Sequence, residues 1–295
     1  MKLFVIGQSL EDHISSHGRE EIKPGGIFYS VQGLKSVITR DDKIFLCTSV
    51  EKDNTQLFDT AYKFVEKSYF EFVPEIPKVY LNISADRERE EKYSRINKSL
   101  TVNISDFNAF DGILINMITG FDITIDKLKK IRRFYKGLIY FDVHTLARGI
   151  DKDGKREFRT IPDFTEWASN IDILQVNESE FRCLLEESNE QKIIEKIFNT
   201  GVKILIVTKS VKGAKLYYKM NEEIISIFIS GVKTIAGNKV GCGDIFGAVY
   251  FYHYISSDNI IYAFRKANLS AGIAAAHNSI EDFENLSRDV LRKHG

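Results

Sequence analysis

The chain of 295 residues is 43% hydrophobic and 28% charged, which predicts a soluble globular protein with a sizeable core. Its 41 basic and 41 acidic side chains cancel, so the charge balance gives no reason to expect nucleic acid or an anionic membrane as a partner. The three cysteines are far apart and no signal peptide is visible, which favours a cytoplasmic protein with reduced thiols over a disulfide framework. No apolar run approaches about 18 residues, so we expect no membrane span.

Short apolar runs predict buried strands, and longer segments with helical periodicity lie between them. The predicted strands are Lys2–Ile6, Lys43–Cys47, Gly112–Met117, Leu138–Phe141, Ile171–Val176 and Lys203–Val207. The predicted helices are Thr55–Lys67, Ile125–Tyr135, Glu190–Asn199 and Asn259–His277. Strands that alternate with helices predict an α/β fold in which helices cover both faces of a mainly parallel sheet.

Two segments break this alternation. Residues 8–24 alternate between polar and apolar positions, and residues 72–104 hold two alternating stretches, Tyr80–Ser84 and Leu100–Ile104, around a charged run. We interpret them as strands of a small sheet that projects from the main domain. An ordinary surface hairpin explains the second segment equally well.

Two features near the N-terminus are candidates for ligand binding. Asp12 lies just past the first predicted strand, at the sheet edge where parallel α/β proteins bind ligands. Its carboxylate could hold two hydroxyl groups of a sugar, or it could be a solvated acid in a turn. Gly25 and Gly26 precede a predicted helix and would let a ligand approach the backbone closely, or they only close a loop.

The most informative stretch runs from Val240 to Gly247 and contains Gly241-Cys242-Gly243-Asp244 before an apolar helical run. The glycines allow a tight turn, and the backbone N–H groups at the start of a helix bind anions. A carboxylate beside such N–H groups supplies the two things that phosphoryl transfer needs, donors for the phosphoryl oxygens and a base for the attacking hydroxyl. The alternative is a structural turn with Asp244 near the N-cap.

This stretch resembles the signature of the PfkB carbohydrate kinases, the ribokinase-like family, usually written D-T-x-G-A-G-D-x-F-x-G. The G-x-G-D core and Phe246 match the signature. The departures are Asn238, Lys239 and Cys242 in place of Asp, Thr and Ala, and a last glycine, Gly247, that falls one place early.

The resemblance implies a ribokinase-like three-layer α/β/α sandwich in a single domain over residues 1–295, with a small β lid built from about residues 8–24 and 72–104. It also implies that four residues bind the substrate: Asp12, Gly25, Gly26 and Ser30. At the position of Ser30 the family has Asn. Arg148 ends a segment similar to the family's D-x-N-x-R motif that begins at Asp142. A substrate role for Arg148 and a simple ion pair between Arg148 and Asp142 are equal alternatives.

Further family motifs imply a donor site. Asn177 and Glu180 match N-x-x-E, which organises Mg²⁺ through water molecules and the phosphate groups, and they also fit a helix capping box. Thr208 and Gly213 match the nucleotide-binding turn T-x-G-x-x-G, in which Ser210 replaces the middle glycine. If that position has a positive φ, the serine costs about 1 kcal/mol. The family places an Asn such as Asn268 near the adenine.

We therefore expect an ATP-dependent phosphotransferase that acts on a hydroxyl of a small sugar or sugar-like molecule. Asp244 would be the base, the N–H groups of Gly241, Cys242 and Gly243 the anion hole, and ATP with Mg²⁺ the donor. Asn238 replaces an Asp of the relatives' monovalent-cation site, which argues against potassium activation. Pairing of the lid with its copy would make a homodimer.

Two other functions compete with this expectation. The departures at Ser30, Ser210 and Asn238 are compatible with a nucleotide- or sugar-binding protein of the same fold that has no transfer activity. A dinucleotide oxidoreductase is disfavoured, because the first strand-to-turn stretch lacks the glycine-rich pyrophosphate fingerprint.

Overall fold

The computed structural model describes residues 1–16, 19–52, 55–82, 90–103, 107–233, 240–277, 282 and 285–292. Asn238 and Lys239 of the signature motif lie outside these residues. In the first half of the chain the strands are β1 (Lys2–Ile6), β2 (Ser9–Ser16), β3 (Arg19–Gly26), β4 (Lys43–Glu51), β5 (Val65–Glu66), β6 (Phe70–Val73), β7 (Lys78–Asn82), β8 (Glu90–Tyr93), β9 (Gly112–Asn116) and β10 (Leu138–Asp142). In the second half they are β11 (Arg148–Ile150), β12 (Arg156–Phe158), β13 (Ile173–Asn177), β14 (Ile204–Thr208), β15 (Gly213–Met220) and β16 (Glu223–Ser230).

Helices lie mainly between the strands of the large sheet. They are α1 (Ile27–Lys35), α2 (Asp59–Tyr62), α3 (Ile125–Phe134), α4 (Phe164–Ala168), α5 (Glu178–Phe181), α6 (Glu190–Asn199), α7 (Cys242–Ser257), α8 (Ile260–Ala274) and α9 (Leu286–Arg292). Short 3₁₀ turns occur at Thr55–Phe58, Phe107–Ala109, His144–Ala147 and Ser210–Lys212. Within the described ranges, no helix is both long and apolar enough to cross a bilayer.

The large sheet has the order β16-β15-β14-β13-β10-β9-β1-β4-β5, and β6 also pairs with β4. The pairs from β4 through β1, β9, β10 and β13 to β14 are parallel, whereas β15 and β16 are added in antiparallel fashion. Alternate residues of β1 enter two separate cores: Leu3 and Val5 pack with α1, α7 and α8, whereas Phe4 and Ile6 pack with α3, α4 and α6. The result is the predicted three-layer α/β/α arrangement, and the expectation of a mainly parallel sheet is confirmed.

One predicted helix is wrong. The segment predicted as a helix over Thr55–Lys67 is a 3₁₀ turn followed by α2, and it then continues into β5. Val65 pairs with Ile44 at the edge of the large sheet, so strand pairing overrides the helical periodicity beyond Tyr62.

A second sheet of four strands, the lid sheet, has the order β3-β2-β7-β8. The second strand from residues 72–104 differs from the predicted one, because it is Glu90–Tyr93 at the end of the charged run. Of the predicted strand Leu100–Ile104, residues 100–103 form no strand, and Ile104 lies outside the described residues. Leu100 is instead buried in the second core, and its N–H donates to the carbonyl of Asp122 (2.8 Å). Whether two lid sheets pair in a homodimer, and whether the whole chain forms one kinase domain, stay predictions.

Candidate active site

The site is organised by the first turn of α7. Gly241, the residue before the helix, has φ 77°, and a Cβ at this position would lie 2.2 Å from the ring of Tyr29. Both the left-handed backbone and the contact with Tyr29 therefore require glycine here. At Gly243, by contrast, an added Cβ would meet no heavy atom within 4 Å. The backbone of Gly243 is therefore open to a ligand at the positive end of the helix dipole.

Asp244 lies in this first turn and is 8% exposed. The amide nitrogen Nδ2 of Asn116, at the carboxyl end of β9, donates to Asp244 Oδ1 (2.6 Å) and to Ser30 Oγ (3.2 Å). This bridge joins α7, β9 and α1 and fixes the direction of the carboxylate. Ser30 thus acts on Asp244 through Asn116.

A second amide holds the other side of the turn. Gln175 Nε2 donates to Asp142 Oδ2 (2.5 Å) and to the carbonyl of Gly243 (3.1 Å), while Gln175 Oε1 accepts from the hydroxyl of Tyr140 (2.6 Å). The carboxyl ends of β10 and β13 therefore clamp the first turn of α7 to the sheet edge.

Asp142 completes an acidic group with Glu180 and Asp244. Burial, together with the charges of Glu180 and Asp244, raises the pKa of Asp142 well above its ordinary value of 3.8. His144, two residues on, has φ 40° and brings its Nε2 to 4.0 Å from Asp244 Oδ1.

Asn177 and Glu180 form a capping box at the start of α5. The Asn177 side chain accepts from the N–H groups of Ser179 and Glu180 (both 2.9 Å), and Glu180 accepts from the Asn177 N–H (2.8 Å) and from Asn177 Nδ2 (2.6 Å). Both residues also line the cavity described below. Carboxylate oxygens keep lone pairs beyond these bonds, and Mg²⁺ takes oxygen ligands through retained water, so the donor set fits that ion. Among the described residues, no cluster of three or more His, Cys, Asp or Glu side chains could ligate a metal directly.

The predicted nucleotide turn follows β14. Ser210 has φ 52°, so this position does need left-handed backbone and the serine costs about 1 kcal/mol relative to glycine. Gly213 has φ 110°, and Thr208 Oγ1 donates to the carbonyl of Val176 (3.4 Å). Asn268 on α8 donates through Nδ2 to the carbonyl of Ser230 (3.0 Å), which ties α8 to the end of β16.

The glycines Gly25 and Gly26 end β3 and lie at the junction of the lid sheet and α1. A Cβ on Gly25 would lie 2.2 Å from Asp12 Oδ2, so the buried Asp12 carboxylate rests directly on the Gly25 backbone. Gly26 has φ 65° and would bring a Cβ to 2.4 Å from the carbonyl of Gln8, so its glycine is needed for packing. Neither these three residues nor Ser30 are among the described residues that line the cavity.

Arg148 does line the cavity, but its ion pair is with Glu91 of the lid sheet. Arg148 Nη1 lies 3.6 Å from Glu91 Oε1, and the guanidinium lies 4.3 Å from the centre of the Phe158 ring. The suggested alternative of a pair between Arg148 and Asp142 is not among the described ion pairs; Asp142 is bonded to Gln175 instead.

A cavity of about 440 Å³ opens at this edge of the sheet. Ten of the predicted site residues line it: Arg148, Asn177, Glu180, Thr208, Gly213, Gly241, Cys242, Gly243, Asp244 and Asn268. One part of the lining is acidic around Asp244, and another part is small and apolar around Val211, Val232, Ala271 and Ala275. The cavity can thus take a polar reacting group at one end and an apolar ring at the other.

The sequence interpretation assigned no role to Asn116, Gln175 or Glu91. Asn116 is the one polar residue in the predicted strand Gly112–Met117 and lies near its carboxyl end, which is a signal that could have identified it. Gln175 interrupts the apolar run of β13 in the same way. Glu91 lies in a charged run that reads as a solvated turn, and nothing local distinguishes it.

Comparisons with known proteins relate part of the chain to a sequence family and nearly all of it to a known fold. The model of the pfkB family carbohydrate kinases matches residues 150–283, and no curated protein sequence matches the chain significantly. A putative ribokinase II from E. coli in complex with ATP and Mg²⁺ shares 18% identity and a TM-score of 0.75, with 99% of each chain covered.

Two further solved structures share the fold. Arabidopsis thaliana ribokinase complexed with ribose and ATP has 16% identity and a TM-score of 0.72, covering 99% of this chain and 98% of that one. A pyrophosphate-dependent kinase in the ribokinase family, complexed with a pyrophosphate analog and myo-inositol, has 16% identity and a TM-score of 0.74, covering 99% and 100%. The chain is thus similar in sequence to the pfkB family carbohydrate kinases over residues 150–283, and it shares its fold with solved ribokinase-family structures over nearly its whole length.

Proposed function

We propose that the protein transfers a phosphoryl group from ATP to a hydroxyl of a small sugar or sugar-like molecule, with Asp244 as the base. The observation that carries this proposal is the position of Asp244: a buried carboxylate in the first turn of α7, beside the open backbone of Gly243 and facing the cavity. A base and an anion cradle at one point are what phosphoryl transfer requires.

In this mechanism Asp244 accepts the proton of the acceptor hydroxyl while the hydroxyl oxygen bonds to the γ-phosphorus and the bond from that phosphorus to the leaving oxygen of ADP breaks. Asn116 holds Asp244 Oδ1 in place through its 2.6 Å hydrogen bond, which leaves Oδ2 for the acceptor. The N–H groups of Gly241, Cys242 and Gly243 stabilise the transferring phosphoryl oxygens. Gln175 holds the first turn of α7 in place by donating a hydrogen bond to the carbonyl of Gly243.

The apolar part of the cavity supports ATP as the donor. The apolar lining offers a slot for a flat base and consists of Val211, Val232, Ala271 and Ala275. Pyrophosphate has no base that could occupy this slot. Thr208, Gly213 and Asn268 would border the nucleotide, and Glu180 with Asn177 would hold the water shell of Mg²⁺. When bound, that ion neutralises the phosphate charge.

The acceptor would lie between Asp244 and the lid sheet. Asp12, resting on Gly25, and Arg148 would position it, and Gly26 and Ser30 would maintain the lid junction and the Asn116 bridge. Related folds hold ribose or myo-inositol, which supports a polyhydroxylated acceptor.

The test is a donor-by-acceptor screen of the purified protein with Mg²⁺. ATP and pyrophosphate are each combined with pentoses, hexoses, inositols, phosphosugars and nucleosides, and the phosphorylated product is detected directly. We expect product with ATP and at least one acceptor. Product with pyrophosphate alone would refute ATP as donor, and ATP binding without any product would favour the binding-protein alternative.

A further inference from the structure

Among the described residues of the lid sheet, Glu91 is the one that lines the cavity. Glu91 on β8 pairs in register with Leu81 on β7, and Tyr93 pairs with Val79. Leu81, Val79 and Tyr93 belong to the buried core, so Glu91 shares their inward face, where it is 5% exposed and lines the cavity. The neighbouring Lys92 points to the other face of the strand and is exposed.

The partner of Glu91 comes from the body of the protein. Arg148 follows the 3₁₀ turn after β10, and its Nη1 lies 3.6 Å from Glu91 Oε1. The two side chains are 11% and 2% exposed, and the guanidinium also rests on the Phe158 ring. A buried cation that is already paired has little charge left for a ligand, because a second anion would have to displace or share its carboxylate.

The other charges at this end of the cavity are mostly acidic. Asp244 lies in the lining, and His144 carries a positive charge only when it is protonated. The second permanent cation among the described lining residues, Lys233, is exposed and follows Val232, whose side chain lies against Gly272 on α8. It therefore belongs to the part of the cavity that we assign to the donor.

We propose that the acceptor is an uncharged polyhydroxylated molecule and that Glu91 is the lid residue that selects it. The inference rests on the proposed function. The Glu91 carboxylate accepts hydrogen bonds from hydroxyl groups, and it neutralises Arg148, the permanent cation that the described residues place at this end of the cavity to bind a phosphate or carboxylate on the substrate. We therefore expect phosphosugars to be disfavoured, because the described residues at this end of the cavity offer a negative charge and no cation other than the one already paired with Glu91.

The test compares kcat/KM for matched acceptor pairs, such as ribose with ribose 5-phosphate and myo-inositol with an inositol monophosphate. We expect the wild-type protein to favour the neutral member by at least roughly a hundredfold, the effect of about 2.7 kcal/mol. In Glu91→Gln, Arg148 loses its counter-charge. We therefore expect the neutral-to-phosphorylated ratio to fall by roughly tenfold or more and the KM for the neutral acceptor to rise.

Glu75→Gln is the matched control. Glu75 is a carboxylate just before β7 that pairs with Arg95 and Lys78, is 41% exposed at its side chain, and does not line this cavity. Its removal should leave the ratio unchanged. A wild-type preference for a phosphosugar would overturn the inference while the kinase function stands, as would an unchanged ratio in a folded Glu91→Gln protein. Failure to phosphorylate any acceptor would overturn the proposed function and the inference together.

Discussion

At the scale of single residues, the site depends on partners that are distant in sequence. The Gly241–Asp244 motif is local and could be predicted from the sequence, because glycine torsions and a helix start are properties of neighbouring residues. Asn116 and Gln175 could not be assigned in this way, since they reach Asp244 and Gly243 over 128 and 68 residues of chain. Their positions follow only when the strand order brings β9, β10 and β13 to one edge.

Asp142 predicts a dependence of stability on pH. Its pKa is raised in the folded state, so the folded protein holds a proton that the unfolded chain releases above its ordinary pKa of 3.8. Its contribution is therefore fully present below that value and is lost as the pH rises through the raised pKa. We expect the unfolding free energy of the wild type, minus that of Asp142→Asn, to fall as the pH increases above about 4. Urea denaturation of both proteins measures this difference, and a difference that stays constant with pH would contradict the assignment.

At the scale of elements, most of the central strands could be predicted because they are continuous apolar runs buried on both faces. The strands at the edges of the large sheet could not be predicted in this way. Strand β16 alternates exposed and half-buried residues in an antiparallel pair with β15, and the pairing of β5 depends on β4 rather than on its own sequence. The turn at Ser210 shows the same limit, since its left-handed backbone became visible only in the structure.

The two glycines of the α7 start should respond oppositely to alanine. Gly241→Ala combines a positive φ with a clash on Tyr29 and should cost roughly 2–4 kcal/mol of stability. Gly243→Ala lies within the helix and in open space, so stability should be unchanged or higher by up to about 1 kcal/mol. Its methyl group would nevertheless stand where the phosphoryl group is cradled, and we expect kcat to fall by roughly tenfold or more. Thermal melts and turnover assays measure both effects; a fully active Gly243→Ala protein would argue against the anion hole.

At the scale of the whole molecule, the lid sheet is fastened to the body by the β11–β12 hairpin. The N–H of Tyr93 donates to the carbonyl of Gly154 (2.9 Å), and the buried Arg156 guanidinium lies 4.3 Å from the centre of the Tyr93 ring. Arg156 also donates to the carbonyls of Arg148 (3.2 Å) and Thr119. These contacts therefore hold the lid sheet against the body of the protein, beside the part of the cavity that we assign to the acceptor.

Removal of Arg156 should loosen this attachment of the lid sheet. We expect Arg156→Ala to lower the unfolding free energy by roughly 2–4 kcal/mol, because charged hydrogen bonds and a cation–π contact are lost, and to raise the acceptor KM more than it lowers kcat. Arg133→Ala is the control, since that arginine also lies over a ring, Phe134 at 5.6 Å, but is exposed on α3. Equal effects of the two substitutions would contradict a role for Arg156 in holding the lid.

The most direct test of the account is the turnover of Asp244→Asn with the best acceptor, measured beside its donor affinity by calorimetry. Asparagine keeps the size of the side chain and leaves the helix start intact, but it cannot accept the hydroxyl proton. We predict a loss of kcat of about a thousandfold, with the donor Kd within about threefold of wild type. Turnover close to the wild-type rate would contradict Asp244 as the base.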